Sequence, residues 1–270
     1  MKIAVCVKQV PDSWAEKKMG ADFRLDRANV DAVLNDLDEY AVEEALRIVE
    51  ANSPTGQAGE GSGHTITIIS MGPARATEAL RKALSMGADD GVVISDEGLM
   101  GSDALATSLV LAKVIKDGGY DLVLCGTEST DARMSVVPAM IAERTGFSQL
   151  TFAGSVFVDL AARKVAIERM TEFGVEKMSA PLPAVVSVIE KINEPRYPSF
   201  KGIMASKKKQ LLMQSLADIS VDASLVGNSA AWSSVKDALP RPARTKGIKI
   251  IDEGNGGNQL VEFLAEKRLI

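Results

Sequence analysis

The stretch YDLVLCGTESTD, residues 120–131, joins an apolar run to a cluster of glycine, hydroxyl and acidic residues. The run at 120–125 predicts a buried β-strand, and a helix is predicted over about 133–145. A strand followed by a short polar turn and a helix is the repeating unit of a parallel α/β sheet. The stretch therefore predicts that fold class for the chain around it.

The same alternation extends toward the N-terminus. Apolar runs predict strands at 2–10, 64–70 and 91–95. Helices are predicted at about 38–51, from Pro73 to Met86, and after a cap at Ser102. In the first of these helices the apolar side chains share one face, so Glu39, Glu43 and Glu44 are predicted to face solvent.

Beyond residue 150 the pattern changes. Antiparallel strands are predicted at 153–158, 164–170 and 173–179, and an apolar strand at 183–189. From residue 207 the periodicity is weak, apart from a short helix predicted at about 258–267. We therefore expect an α/β domain at 1–206, with a doubly wound, mostly parallel sheet and added antiparallel strands. Residues 207–270 are expected to form an extended C-terminal arm that a partner's surface must order.

Composition excludes several classes of protein and site. With 46% apolar residues, a net charge of −5 and no apolar run near the ~20 residues of a membrane span, the chain is predicted to be a soluble cytoplasmic protein. The acidic balance and 4% aromatic residues argue against nucleic-acid binding. A single histidine, His64, and the lack of a CxxC pair exclude the usual zinc sites. Cys6 and Cys125 are expected to be free thiols.

Paired carboxylates, which an acid–base enzyme would need, occur at Glu43-Glu44, at Asp89-Asp90 and at Glu168 with Glu172. The first pair lies on the polar face of a predicted helix and the second at a turn. All three pairs are predicted to be solvated. The sequence therefore predicts no catalytic acid–base pair.

Ligands of open α/β sheets bind at the carboxyl ends of the strands, which are predicted at Cys6 to Lys8, at Ser70 to Gly72 and at Cys125-Gly126. Here the turn at 126–131 offers a glycine at a strand end, hydroxyl groups and a following helix start, which suit a phosphate, and Arg133 adds a positive charge. The same residue types cap helices without any ligand, so a plain capped turn is the alternative. Neither a P-loop nor a dinucleotide-binding fingerprint is present.

The segment NEPRYPSFKG, residues 193–202, places Tyr197 and Phe200 among stiffening prolines. Exposed aromatic side chains on a rigid loop are typical of a docking anchor. The alternative is that both rings fold back onto the domain.

Several motifs occur together in a recognisable order. They are AVCVKQVPD (4–12), AVEEALRI (41–48), GPARATEALRKALSMGAD (72–89), DLVLCGTESTD (121–131) and VVSVIEKINEPRYPSFKGIMASKKK (185–209). Together they resemble the electron-transfer flavoprotein β subunit, and most of all the actinobacterial branch of that family. The last motif is similar to the family's signature region, and the resemblance covers nearly the whole chain.

This resemblance implies a heterodimer with an α subunit that holds FAD mainly in its own domain. The β subunit would bind AMP and carry no catalytic acid or base. Electrons would pass from acyl-CoA-type dehydrogenases, as in fatty acid oxidation, through the flavin to a quinone oxidoreductase. Neither nucleic acid nor direct membrane insertion is implied.

The resemblance also assigns residues to sites. The implied AMP site comprises Cys6, Asn35, Asp36, Leu37, Asp38, Met71, Gly126, Thr127, Glu128, Ser129, Thr130, Asp131, Ala132, Arg133, Met134, Ser135, Val136 and Val137. The implied dehydrogenase-docking loop comprises Glu194, Pro195, Arg196, Tyr197, Pro198, Ser199, Phe200, Lys201 and Gly202, with Phe200 as its anchor. Leu37 and Trp14 would lie nearest the flavin of the α subunit.

One departure from the family's pattern affects the choice of nucleotide. Residues 132–138 are ARMSVVP, where many relatives carry a glutamine or asparagine amide. Relatives that bifurcate electrons bind a second FAD here and favour an Asp-Thr-Ala-Gln-Val-Gly-Pro pattern, so the departure favours AMP. The alternative functions are an electron-bifurcating β subunit with its own FAD and a stand-alone adenine-nucleotide-binding module.

Overall fold

The computed structural model describes residues 1–59, 61–239, 242–244 and 246–270. It contains two compact units, Met1–Val235 and Lys236–Ile270. The first unit thus extends past the domain end predicted at residue 206. Pro240, Arg241 and Thr245 of the predicted arm lie outside the described residues.

The strands are β1 Lys2–Cys6, β2 Gln9–Pro11, β3 Ala32–Leu34, β4 Thr65–Met71, β5 Asp90–Ile94, β6 Leu122–Gly126, β7 Ser148–Asp159, β8 Lys164–Thr171, β9 Gly174–Pro181, β10 Ala184–Val188 and β11 Leu211–Gln214. Nine of them form one sheet in the order β11-β5-β4-β1-β6-β10-β7-β8-β9, and β2 pairs with β3 separately. All pairs from β11 to β7 are parallel, whereas β8 and β9 add to the sheet in antiparallel fashion. This arrangement confirms the predicted fold class.

The helices are α1 Asp36–Asn52, α2 Thr77–Met86, α3 Ala104–Gly118, α4 Val137–Thr145, α5 Phe200–Ser206, α6 Gly227–Ala230 and α7 Gly256–Glu266. Helices α1 and α2 pack on one face of the sheet, and α3 and α4 pack on the other. Side chains of β1 alternate accordingly, with Ile3 and Val5 in the core under α1 and Ala4 in the core under α3. Helices on both faces explain why the central strands β1, β6 and β10 are almost entirely apolar.

The starts of α2 and α3 differ from those predicted. Pro73 precedes a short 3₁₀ turn at Ala74–Ala76, and α2 itself begins at Thr77. Helix α3 is capped by Asp103 and not by Ser102, because the Asp103 carboxylate accepts a hydrogen bond from a first-turn N–H. Aspartate at this position also complements the positive end of the helix dipole.

Residues beyond the predicted boundary at 206 complete the first unit. Strand β11 pairs with β5 at one end of the sheet. Leu216, Ile219 and Val226 are buried in the core under α3. They lie in turns and a bend and not in a helix or a strand, so the segment has no regular element whose period would mark them as core residues.

The second unit contains α7, none of whose residues is buried. The turn before it is held by Asp252, whose carboxylate accepts hydrogen bonds from the N–H groups of Gly254 and Gly256, each at 2.9 Å. Within the described residues, no helix combines the length and the apolar character needed to cross a membrane.

Candidate functional site

A cleft of about 280 Å³ opens where the parallel strands β1, β4 and β6 end. Cys6, Met71 and Gly126 are the last residues of these strands and line the cleft. The cleft therefore lies at the edge where ligands of open α/β sheets bind. The predicted site residues that the structure brings together around it are Cys6, Asp38, Met71, Gly126, Thr127, Glu128, Ser129, Ala132, Met134, Ser135 and Val137.

Gly126 allows the first turn of α1 to reach the cleft. A side-chain carbon at this position would lie 2.5 Å from the Asp38 carboxylate and 2.7 Å from the Leu37 carbonyl oxygen. Such distances are too short for any β-carbon, so only glycine fits against α1 here. The requirement comes from packing between α1 and β6, whereas the sequence suggested close approach of a ligand.

Asn35 precedes α1, is fully buried and fixes the turn after β6. Its side-chain nitrogen donates to the Glu128 carbonyl oxygen at 2.9 Å, and its side-chain oxygen accepts from the Thr130 N–H at 3.0 Å. Asn35 and Thr130 are themselves outside the cleft lining. Asn35 therefore acts on the site through the backbone of the turn.

Asp38 lines the cleft from the first turn of α1 and is buried. Its carboxylate accepts a hydrogen bond from the Lys8 N–H at 2.8 Å. Burial raises the pKa of Asp38 to about 7, although hydrogen bonds from Asn35 and from the Lys8 N–H act in the opposite direction. This carboxyl group therefore titrates near neutral pH.

Asp131 ends the predicted phosphate turn, and its side chain is only 1% exposed. It pairs with Lys8 Nζ at 2.8 Å and with Arg27 Nε at 2.7 Å. Burial alone would raise the pKa of Asp131, but Lys8 first, and then Ser129 and Arg27, outweigh burial and lower it to about 2. The ionised carboxylate thus ties the turn to the segments that follow β1.

Helix α4 begins at Val137, later than the start predicted at 133. Arg133 and Ser135 have φ values of 50° and 56°, a left-handed conformation that a right-handed helix cannot include. No side chain caps the first turn of α4, and Val137 and Pro138 line the cleft. The leading N–H groups of α4 are therefore left for a ligand or for water.

The remaining predicted AMP-site residues lie outside the cleft lining; they are Asp36, Leu37, Asp131, Arg133 and Val136. Arg133 and Asp36 are exposed to solvent. Arg133 therefore does not supply the positive charge that the sequence suggested. The cations that do line the cleft are Lys8 and Arg27.

The cleft also contains residues outside the implied AMP site: Val7, Lys8, Arg27, Ser102, Asp103, Ala104, Thr107, Leu111, Cys125 and Pro138. Of these, Val7, Lys8 and Cys125 belong to the strand ends that the sequence predicted. The α3 residues had no such signal. Their position depends on the packing of α3 against the sheet.

The docking segment, residues 193–202, presents two aromatic rings to solvent. Tyr197 is 96% exposed and Phe200 is 81% exposed. Phe200 is the first residue of α5, and the Ser199 hydroxyl caps this helix by accepting from the Gly202 N–H at 3.0 Å. The predicted loop therefore ends in a helical turn, and neither ring folds back onto the first unit.

Arg196, in contrast, turns inward toward α1. Its guanidinium donates to Glu43 at 2.7 and 2.9 Å and to Glu50 at 2.7 and 3.1 Å. The Asn193 amide donates to Glu44 at 3.0 Å. Glu43 and Glu44 are 5% and 6% exposed, so the prediction that they are solvated is wrong. The docking segment covers the face of α1 that the helical pattern marks as polar.

The chain matches one protein family over most of its length. Residues 22–219 match the electron transfer flavoprotein domain. The chain is 50% identical to the electron transfer flavoprotein subunit beta of Mycobacterium leprae, over 99% of each chain. It is 48% identical to the subunit of the same name from Mycobacterium tuberculosis, again over 99% of each. With that of Megasphaera elsdenii the identity is 33%, over 99% of this chain and 97% of the other. This chain belongs to the electron transfer flavoprotein β-subunit family.

Proposed function

We propose that this chain pairs with an FAD-bearing α subunit, and that the heterodimer carries electrons in the cytoplasm from acyl-CoA-type dehydrogenases to a quinone oxidoreductase. The observation that carries the proposal is the similarity to named β subunits along 99% of the chain. Asp131, just outside the cleft lining, is engaged in two ion pairs, which favours a structural role for this carboxylate.

We propose AMP as the ligand of the cleft. The uncapped start of α4 and the ammonium group of Lys8 suit its phosphate. Cys6, Met71 and Leu111 offer an apolar wall for a base, and the Glu128 carboxylate offers a hydrogen-bond acceptor. A volume of about 280 Å³ lies at the lower end of the about 300–1,000 Å³ of small-molecule sites, which favours a mononucleotide over FAD.

FAD, when bound to the heterodimer, supplies the redox chemistry, and the residues of this chain position its partners. Trp14 is 94% exposed and Leu37 is partly buried. We assign both to the side that faces the flavin of the α subunit. The docking segment is assigned to the dehydrogenases, because its exposed rings are supported by a rigid backbone.

The nucleotide content of the purified protein tests these assignments. After denaturation, chromatography of the supernatant is expected to give one AMP and one FAD per heterodimer, and AMP without FAD from this chain alone. Two FAD per heterodimer, or stoichiometric FAD from this chain alone, would establish the electron-bifurcating alternative. Bound nucleotide without any flavin-bearing second chain would favour the stand-alone module.

The C-terminal arm is proposed to wrap the α subunit. We assign its start near Lys236 and not at the predicted residue 207, because the division between the compact units at Val235 and Lys236 supports this. The exposed apolar side chains Leu260 and Val261 on α7 support a role in contacting another chain. Limited proteolysis should trim the region after residue 235 in the free chain and spare it in the heterodimer. Equal cleavage in both states would contradict this part of the proposal.

A further inference from the structure

Three side chains, Arg196, Glu43 and Glu50, join the docking segment to helix α1. We name this cluster the Arg196 clamp. In addition to the four guanidinium contacts, the Arg196 N–H donates to Glu43 at 3.2 Å. The side chains of Glu43 and Arg196 are 7% and 34% exposed, so water competes less than at a surface ion pair. Paired N–H groups on carboxylates also fix orientation, because the guanidinium is planar.

The clamp lies close to the exposed rings. Pro195 and Pro198 restrict the backbone on either side of Arg196 and Tyr197. Beyond Phe200, helix α5 packs closely on α2, where a β-carbon at Gly202 would lie 2.4 Å from the Ser85 carbonyl oxygen. Phe200 is therefore held between two attachments, one to α1 and one to α2.

We propose that Arg196 is a positioning residue: the clamp holds the docking segment in the conformation that a dehydrogenase binds, while Arg196 itself contacts only its own chain. A segment that is ordered before binding loses less entropy when it docks. This inference rests on the proposed function, which assigns docking to Phe200. It goes beyond that assignment because it names α1 as the element that supports Phe200.

The first test compares the wild-type heterodimer with Arg196→Gln and with a control, Arg163→Gln. Arg163 pairs with Asp121 at 3.1 Å and contacts neither α1 nor the docking segment in the hydrogen bonds and ion pairs of the described residues. We expect Arg196→Gln to raise the KM for an acyl-CoA dehydrogenase about tenfold, which corresponds to about 1.4 kcal/mol of added ordering cost. The kcat should not change. Amide hydrogen exchange over 194–202 should become faster in Arg196→Gln and stay unchanged in Arg163→Gln.

A double-mutant cycle with Phe200→Ala separates positioning from direct contact. If the clamp acts through Phe200, the double variant has the same KM as Phe200→Ala alone. Fully additive effects would overturn the inference, because they would give Arg196 a contribution independent of Phe200. Unchanged KM and unchanged exchange in Arg196→Gln would overturn it as well.

Arg196→Gln leaves Glu43 buried without its cation, so a gentler variant covers the case in which the protein does not fold. Glu50→Gln keeps Arg196 on Glu43, and we expect a rise in KM of about threefold, the size typical of a partly exposed ion pair. Faster exchange over 194–202 in this variant supports the clamp, and unchanged exchange contradicts it. Amide hydrogen exchange is measured without a dehydrogenase, so it tests the clamp independently of the proposed function. A wild-type heterodimer that accepts no electrons from a dehydrogenase would refute the proposed function and not the clamp.

Discussion

The first turn of helix α1 lines the cleft, and the middle of the same helix binds the docking segment. The two regions differ in the hydrogen-bond donors that their buried carboxylates accept from. Asp38, in the first turn, accepts hydrogen bonds from neutral groups, whereas Glu43, in the middle, accepts them from a guanidinium. Both carboxylates are buried to a similar degree, at 6% and 5% exposure. At similar burial, Asp38 has only neutral hydrogen-bond donors and a pKa raised to about 7, whereas Glu43 forms an ion pair with a guanidinium.

The largest expected effect concerns Asp38 in the first turn of α1. Because the pKa of Asp38 rises from 3.8 to about 7 on folding, the folded chain retains a proton that the unfolded chain releases. The free energy of unfolding should therefore fall by up to about 1.4 kcal/mol per pH unit between about pH 4 and about pH 7. Asp38→Asn should flatten this slope in urea unfolding curves. Parallel slopes for the wild type and the variant would contradict the assignment.

Asp131→Ala should cost about 3 kcal/mol of unfolding free energy at neutral pH, since it removes a buried partner of two cations. The loss should shrink as the pH falls from about 4 toward 2, because the lowered pKa of Asp131 stabilises the fold only while the carboxylate is ionised. Urea unfolding at both pH values measures it. Glu176→Ala is the control, because Glu176 pairs with Arg169 at the surface. A loss that does not depend on pH would argue against the ion pairs.

Phe200→Ala tests the docking segment, which the middle of α1 supports. Removing an aromatic anchor from an interface typically costs about 2 kcal/mol or more, so the KM for an acyl-CoA dehydrogenase should rise roughly 30-fold. Flavin absorbance and assembly with the α subunit should stay the same. Phe173→Ala is a matched control, since this ring is 93% exposed in the turn between β8 and β9. Equal kinetics in the two variants would remove the special role of Phe200.

The smallest expected effects concern the second ion-pair partner of Asp131, which is Arg27, and the second partner of Arg196, which is Glu50. Arg27→Gln leaves Lys8 on Asp131, and Glu50→Gln leaves Glu43 on Arg196. Arg27 and Glu50 are 45% and 31% exposed, so each change should cost only about 0.5–1 kcal/mol of unfolding free energy. A loss above about 2 kcal/mol in either variant would show that the remaining ion pair depends on the second partner.

Periodicity predicted the alternating strands and helices because both faces of the sheet are covered by the helices that follow its strands. It did not predict the burial of Glu43 and Glu44, because the segment that covers them lies about 150 residues further along the chain. Asp89 is a similar case. It is partly buried, and its carboxylate accepts from the Ile66 N–H at 2.8 Å. Contacts between distant segments leave no periodic trace in a single sequence.

The candidate site was predictable where it depends on strand ends. The rule for open sheets located Cys6, Met71 and Gly126, which are the ends of adjacent strands. It could not show that Arg133 turns outward, because that depends on the left-handed backbone before α4. Nor could it separate Asn35, which shapes the turn, from side chains that line the cleft.

The sheet ends at β9, which has no further strand beside it among the described residues. Unpaired N–H and C=O groups along such an edge can recruit a strand from another molecule and start aggregation. Strand β9 contains the charged residues Glu176 and Lys177 and ends at Pro181. Charge and proline oppose strand addition. The edge of β9 therefore disfavours the addition of a strand from a second copy of this chain.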